Sequence, residues 1–160
     1  MAGHPLDRPY EGGFLGGVHH FAVRVYFEDT DVGGVVYHAN YLRFMERARS
    51  DMLACVGIDQ RAAHEAGEGV YAVTHVDLRF VRPARLGDAL VIESRVLRSR
   101  GASCAIHQRV RRDGEEIAVA DVTVAFLSPD GRPRRQPKPW VGIFDDLARA
   151  SNHQEESSPA

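Results

Sequence analysis

The chain has 160 residues, of which 44% are hydrophobic and 26% are charged, and its formal net charge is −2. This length suits one domain with a hydrophobic core and is too short for two of ordinary size. The near-neutral charge argues against nucleic acid as a partner, and no apolar run approaches the roughly 20 residues of a membrane-spanning helix. The first residues also lack the apolar stretch of a signal peptide, so we expect a cytoplasmic protein.

Cysteine and histidine placement gives no indication of a metal site. Cys55 and Cys104 are the only cysteines, and in a chain without an export signal we expect both to be reduced core residues rather than a disulfide. His19 and His20 are adjacent, so they would point to opposite faces of a strand and could not bind one ion together. We interpret as structural or surface positions the isolated histidines His64, His75 and His107.

The first third of the chain predicts an arm, a strand and a long helix. Residues 1–18 are rich in glycine and lack any period, which predicts a flexible arm. Apolar and polar residues alternate over residues 20–28, which is typical of a strand. Residues 39–56 carry apolar side chains at helical spacing, and Gly57 is a fitting residue for the C-terminal end of that helix.

Beyond a short second helix capped by Asp59, the hydrophobic period changes to two. Turn signals divide this part of the chain into four strands, predicted at residues 70–81, 88–98, 102–112 and 116–127. Four prolines within residues 129–139 predict the end of regular structure. Residues 145–160 are expected to be a polar tail.

This order of elements predicts an α+β domain at residues 19–144. Sequential strands joined by short turns form an antiparallel sheet, and one amphipathic helix can cover its apolar face. The prediction is a five-stranded antiparallel sheet wrapped around one long central helix. Because such a sheet leaves edge strands to be covered or paired, we expect a homo-oligomer.

The loop between the first strand and the long helix carries the residues best suited to chemistry. Free N–H groups at a helix start can hold an oxygen that gains negative charge, and glycines such as Gly33 and Gly34 let a ligand approach the backbone. A nearby carboxylate could act as nucleophile or general base. From the residues alone, Asp29 and Asp31 fit equally well as turn formers, and His38 fits a packing role at the helix start.

A family resemblance narrows these alternatives. Residues 24–41, with their Asp-x-Asp step, paired glycines and Tyr-His pair, resemble the signature of the 4-hydroxybenzoyl-CoA thioesterase family. The similarity continues through residues 46–49, 78–88 and 100–103 and ends at residues 133–135. Within the family it is strongest to the branch of small acyl-CoA thioesterases associated with the bacterial Tol-Pal system.

The resemblance implies a hotdog fold and hydrolysis of acyl-CoA to a free acid and CoA, with no cofactor besides the CoA of the substrate. It places the catalytic carboxylate on Asp31 and the amide that polarises the thioester carbonyl on the backbone N–H of His38. The His38 side chain and Tyr37 before it match positions implicated in this branch. Gly33, Gly34 and Val35 would contact the substrate.

The phosphates of CoA require cations, and arginine binds phosphate through a bidentate fork. The candidates for this role flank two predicted turns: Arg79, Arg82 and Arg100, with Arg85 and Arg98 nearby. Gly101 and Ser103 would leave room for the pantetheine arm against a strand. Any one of these arginines could equally be a solvated surface residue.

Several alternatives stay open at this point. Other hotdog thioesterases use a glutamate on the central helix, a role open to Glu46 unless it pairs with a neighbouring arginine. The substrate could instead be an acyl group on acyl carrier protein, or the chain could be a non-catalytic acyl-CoA-binding module of an envelope complex. The family implies an active site shared across a dimer interface, but a homodimer and a homotetramer are both compatible with the sequence.

Overall fold

The computed structural model describes residues 3–156, and these form six strands and three α-helices. In chain order the elements are β1 (Gly13–Leu15), β2 (Val18–Arg24), α1 (Asn40–Cys55), α2 (Gln60–Glu65), β3 (Val70–Phe80), β4 (Ala89–Arg100), β5 (Ser103–Arg112), β6 (Glu115–Leu127) and α3 (Lys138–Glu156). Short 3-10 turns occupy Pro5–Asp7 and Phe27–Asp29. Residues 1, 2 and 157–160, at the ends of the predicted arm and tail, lie outside the described part.

The strands form one antiparallel sheet in the order β1-β2-β4-β5-β6-β3, and α1 contributes its buried face to the core that the sheet encloses. Period-two alternation produces this core because every second side chain of a strand lies on the same face. Phe44, Met45 and Met52 of α1 share the core with Ile92 and Val110. The predicted hotdog arrangement of an antiparallel sheet around a central helix is confirmed.

The sheet has six strands rather than the predicted five, because part of the glycine-rich arm is also a strand. β1 pairs with β2 through a tight turn in which Gly16 takes φ 62°. A three-residue strand is too short to show a hydrophobic period, which is why the sequence pattern did not predict it. At Gly17 a Cβ would overlap the backbone at Ser151, so this turn packs directly against α3.

The prediction that regular structure ends in the proline-rich segment is wrong. α3 runs for 19 residues from Lys138, and Pro139 lies in its first turn, where a missing N–H breaks no helical hydrogen bond. Phe144 of this helix is buried in the core and Trp140 packs against it. Most of the segment predicted as a tail is therefore helix, and its Leu147 and Ala148 also pack against the core.

The two cysteines are unpaired thiols, as predicted, but only Cys104 is a core residue. Cys55 is exposed and is the last residue of α1. Among residues 3–156 no helix combines the length and apolarity needed to cross a membrane.

Candidate active site

A tight loop joins β2 to α1 and shapes the candidate site. Thr30 and Val36 form an antiparallel bridge, and inside it the Asp31 N–H donates to the Val35 carbonyl at 2.9 Å. The Gly34 N–H returns to the Asp31 carbonyl at 3.0 Å, with Gly34 at φ 77°, a conformation that favours glycine. The loop is thus held by its own backbone and fixes the position of Asp31.

The two acids of this loop have different environments. Asp29 is buried, and both of its carboxylate oxygens are occupied: one accepts from the Tyr26 N–H at 2.8 Å and the other from the Asn40 side chain at 2.6 Å. Asp31 is exposed, and its carboxylate accepts one hydrogen bond, from the Gly33 N–H at 2.8 Å. Asp29 therefore holds the loop to α1, whereas Asp31 retains acceptor capacity toward solvent.

The N-terminal end of α1 offers a backbone donor beside this loop. The N–H groups of Val36, Tyr37 and Asn40 donate to carbonyls of Ala84, Asp29 and Tyr37, at 2.8, 2.9 and 2.8 Å respectively. Within the described chain the N–H of His38 has no such acceptor. A free N–H at a helix start carries partial positive charge and can bind an anionic oxygen.

Asp31 and His38 line the same open cleft, whose volume is about 340 Å³. Val35 and Arg82 line it too, so four of the predicted site residues meet here. Sequence reasoning missed the other residues of its wall, which are Val36, Tyr41, Phe80, Val81 and Pro83. Phe80 could have been recognised, because the alternation of β3 places it on the same face as Leu78.

Aromatic rings form one side of the cleft. Phe80 lies 5.6 Å from the Tyr41 ring and 6.5 Å from that of His38, as measured between ring centroids. Tyr41 is buried, its hydroxyl accepts from the Ala84 N–H at 3.3 Å, and burial raises the pKa of that hydroxyl. Tyr37 is outside the cleft wall, but its ring contacts that of His38 in a tilted arrangement, with 4.5 Å between the centroids. The His38 ring is therefore bracketed by two aromatic side chains.

The other residues predicted for the substrate site do not line this cleft. Gly33 and Gly34 shape the loop behind Asp31 without lining the cleft. Arg79 lies opposite Val119 in the sheet register, on the polar face, and its guanidinium is 4.0 Å from Glu116. That face points away from α1, and Arg79 does not line the cleft, although the Arg82 guanidinium also contacts Glu116, donating to its carbonyl at 3.1 Å.

Arg100, Gly101 and Ser103 lie at the other end of the sheet. Ser103 is opposite Ala125 on β6, and Ala125 is opposite Ala72 near the start of β3. Phe80, at the cleft, is the last residue of β3, and 8 residues of a strand span roughly 26 Å. Within one chain these three residues and Asp31 do not share a site.

Glu46 is paired with an arginine, as expected. Its carboxylate binds the Arg49 guanidinium on the same helix, and Arg49 is buried with a second hydrogen bond to Gln108 at 2.7 Å. Gln108 in turn donates to the Met45 carbonyl and to Ser94. Glu46 therefore balances a buried charge beneath α1, away from the Asp31 cleft.

Comparison with known proteins agrees with this geometry. Residues 25–150 match the model of the thioesterase-like superfamily. The acyl-CoA thioesterase YbgC of Haemophilus influenzae is 40% identical over 128 residues, which cover 79% of this chain and 94% of that protein. The acyl-CoA thioester hydrolase YbgC of Escherichia coli O157:H7 is 40% identical over 124 residues, covering 76% of this chain and 92% of that protein.

A solved structure shows the same likeness. The crystal structure of a probable thioesterase from Bartonella henselae superposes with a TM-score of 0.72 at 37% identity, covering 75% of this chain and 99% of that one. The match to the family model includes the Asp31 loop, all of α1 and the strands that wall the cleft. The chain therefore belongs to the thioesterase-like superfamily.

Proposed function

We propose that this protein hydrolyses acyl-CoA thioesters to a free carboxylic acid and CoA. The observation that carries this proposal is the pairing, in one cleft, of the exposed Asp31 carboxylate with the unoccupied His38 N–H at the start of α1. Relatives that match over more than nine tenths of their length are named as acyl-CoA thioesterases. The geometry of the cleft and the similarity to these relatives thus favour the same reaction.

In the proposed reaction the thioester carbonyl oxygen accepts a hydrogen bond from the His38 N–H. The helix start stabilises the negative charge that develops on this oxygen. Asp31 either attacks the carbonyl carbon, giving a mixed anhydride that water later cleaves, or takes a proton from an attacking water. In both routes the carbon–sulfur bond breaks, and the sulfur leaves as CoA thiolate and is then protonated.

An intact-mass measurement after rapid quenching distinguishes the two routes. An acyl adduct on the chain during turnover indicates nucleophilic attack by Asp31. A general-base mechanism forms no covalent intermediate, so the mass would stay that of the free protein.

We further propose that the working unit is a homodimer joined through β3. This 11-residue strand is at the edge of the sheet, and its one partner among the described residues is β6. Val70, Val73 and Phe80 on it are 40%, 44% and 51% exposed. A long edge strand with exposed apolar side chains is a surface for pairing, and a two-fold axis would pair β3 with itself in antiparallel orientation.

Such a dimer would also explain the separated arginines. Antiparallel pairing places the Phe80 end of one β3 beside the Val70 end of the other. Arg100, Gly101 and Ser103 of the second copy lie two to three strands, or about 10–15 Å, further across the sheet, and would then approach the cleft that contains Asp31 and Arg82. We propose that CoA phosphates bind between these two sets of residues.

The unpaired thiols of Cys55 and Cys104 support activity in the cytoplasm, a reducing compartment. An acyl carrier protein, or a protein of an envelope complex, could present or receive the acyl group at the same cleft. Competition between acyl-CoA and acyl carrier protein substrates of equal chain length would identify the preferred carrier.

The deciding experiment is a thiol-release assay on short-chain, long-chain and aromatic acyl-CoAs. The parent chain should release CoA from at least one class, and Asp31→Asn should abolish this release. Glu28→Gln is the matched control, because Glu28 is an exposed acid of the same loop that does not line the cleft. If the parent chain bound acyl-CoA but released no thiol from it, the proposed hydrolysis would be contradicted. The chain would then be a binding module.

A further inference from the structure

A second cluster of reactive side chains lies where the C-terminal end of α1 meets β2. Nε2 of His19 is 2.7 Å from Oδ2 of Asp51, and the Cys55 sulfur is 3.5 Å from the same oxygen and 3.9 Å from the same nitrogen. Asp51 and Cys55 are one helical turn apart, so both project from one face of α1. None of the three lines the Asp31 cleft, and the reaction proposed above does not use them.

The spacing of these three atoms is close to that of a tetrahedral metal site. Zinc binds sulfur at about 2.3 Å and nitrogen or oxygen at about 2.0–2.2 Å, so ligand atoms lie roughly 3.3–3.6 Å apart. The two distances to sulfur, 3.5 and 3.9 Å, are near this range. The His19–Asp51 contact of 2.7 Å would open by roughly 0.6–0.9 Å, a change that side-chain rotation can supply.

The N-terminal arm closes over this cluster at Gly12. The Gly12 N–H donates to Oδ2 of Asp51 at 2.9 Å, and its carbonyl is 3.7 Å from the Cys55 sulfur. A Cβ at this position would lie 2.8 Å from the Asp51 oxygen and 3.0 Å from Nε2 of His19. Only glycine lets the backbone approach this closely, which leaves the open side of the cluster at the exposed Cys55.

Among residues 3–156, the side-chain hydrogen-bond partners of the His19 ring are Asp51 and Cys55 of this cluster. The His19 side chain is completely buried, and Nδ1 has no hydrogen-bond partner among these residues. The ring packs edge-on against Phe14, with 5.2 Å between centroids. Packing thus fixes the ring with Nε2 directed at Asp51 and Cys55.

We propose that His19, Asp51 and Cys55 bind a divalent transition metal ion, with water in the fourth position. Imidazole, carboxylate and thiolate together form a donor set suited to Zn²⁺, whereas Mg²⁺ and Ca²⁺ prefer oxygen ligands alone. The ion would join β2 to the end of α1 beneath the arm, and its role would be structural. The ligands come from residues 19, 51 and 55, a spacing that no short motif describes, which is why the sequence predicted no metal site.

Cobalt provides the direct test, because a thiolate ligand gives Co²⁺ a strong charge-transfer absorption. The full chain is stripped with a chelator, transferred to metal-free buffer and titrated with Co²⁺, then with Zn²⁺. We expect one Co²⁺ per chain with a thiolate band, displacement by Zn²⁺, and a higher Tm with metal, since a ligand that binds only the folded state stabilises it.

Three variants locate the site. Cys55→Ser should remove the thiolate band and weaken Zn²⁺ binding by at least about 100-fold, beyond the loss typical of residues that only support a ligand. Asp51→Asn should weaken binding similarly while the band persists at high Co²⁺. Cys104→Ala is the matched control, because Cys104 is buried elsewhere in the core, and it should bind as the parent does.

Two results would overturn the proposal. One is a parent chain that gives no thiolate band at one equivalent of Co²⁺. The other is a Cys55→Ser variant, folded by circular dichroism, that binds Zn²⁺ as tightly as the parent. Cys55 is exposed, so its replacement by serine should not prevent folding.

Discussion

The side-chain amide of Asn40 donates a hydrogen bond of 2.6 Å to the buried carboxylate of Asp29, two residues before Asp31. This bond ties the loop to the first residue of α1, and the loop in turn presents Asp31 to the cleft. The neighbouring acids therefore have separate roles, one in holding the loop and one facing the ligand. Replacing each in turn should affect different properties of the protein.

Asp29→Asn should lower the free energy of unfolding by about 1–3 kcal/mol, because an amide nitrogen would replace one of two occupied buried acceptor oxygens. Asp31→Asn should change it by no more than about 0.5 kcal/mol, since the side chain is exposed. Thiol release should show the opposite order, with kcat of Asp31→Asn reduced by at least about 10²–10⁴-fold. Urea denaturation measures the change in stability, and the thiol-release assay measures the change in kcat. An Asp31→Asn variant that is destabilised but keeps the parent kcat would refute the catalytic role of Asp31.

His38→Ala keeps the backbone N–H and removes only the ring between Tyr37 and Phe80. If the amide polarises the carbonyl, kcat should fall by about tenfold or less, well below the loss typical of a general base. The test is to measure kcat of His38→Ala and of Asp31→Asn by steady-state kinetics under the same conditions. A loss as large as that of Asp31→Asn would instead assign the imidazole a direct part in proton transfer.

Arg82→Ala should raise KM for acyl-CoA by about tenfold, the equivalent of one hydrogen bond to a charged group, and should reduce the salt dependence of KM. Arg79→Ala is the matched control, because Arg79 lies on the polar face beside Glu116, and its KM should stay unchanged. Arg100→Ala should behave as Arg82→Ala does if a second copy completes the site. If Arg79→Ala and Arg82→Ala changed KM equally, a specific role of Arg82 in binding CoA would be contradicted.

Val73→Lys places a charge on the edge strand β3, at a side chain that is 44% exposed, where it should weaken self-pairing of this edge. Sedimentation should show the parent as a dimer and the variant shifted toward monomer, with thiol release falling in parallel. Leu6→Lys, at a residue of the arm that is 86% exposed, is the control and should stay dimeric. A parent that is monomeric at assay concentrations and fully active would contradict the shared site.

Stability at acid pH should depend on Asp88, whose carboxylate accepts from the Arg85 N–H at 2.9 Å and from the Arg112 guanidinium at 2.8 Å. These two bonds, the backbone one first, hold the pKa of Asp88 below its ordinary value of 3.8. Because the folded pKa is depressed, the stabilisation is present above that value and is lost as the pH falls below it.

Asp88→Asn should therefore flatten the fall in unfolding free energy below about pH 4, as measured by urea denaturation at a series of pH values. Glu28→Gln, the loop control used above, should follow the parent curve. A parent and an Asp88→Asn variant with the same slope in this range would contradict the prediction.

The sequence predicted most of the architecture because local physics dictates it. Alternation of apolar residues specified β2 to β6, helical spacing specified α1, and Gly57 at φ 80° ends that helix as expected. The loop at residues 29–38 was recognised because its residue types and order are distinctive. α3 was missed because proline in a first helical turn is indistinguishable, by composition, from proline that ends regular structure.

Only the tertiary structure decided which of these residues share a surface. Asp29 and Asp31 are equivalent by type and position, and burial against Asn40 distinguishes them. Arg79 and Arg82 are three residues apart, yet only Arg82 lines the cleft, and Arg100 is a sheet length away from both. The cluster of His19, Asp51 and Cys55 exists because β2 packs on α1, a contact between distant segments that no local pattern in the chain encodes.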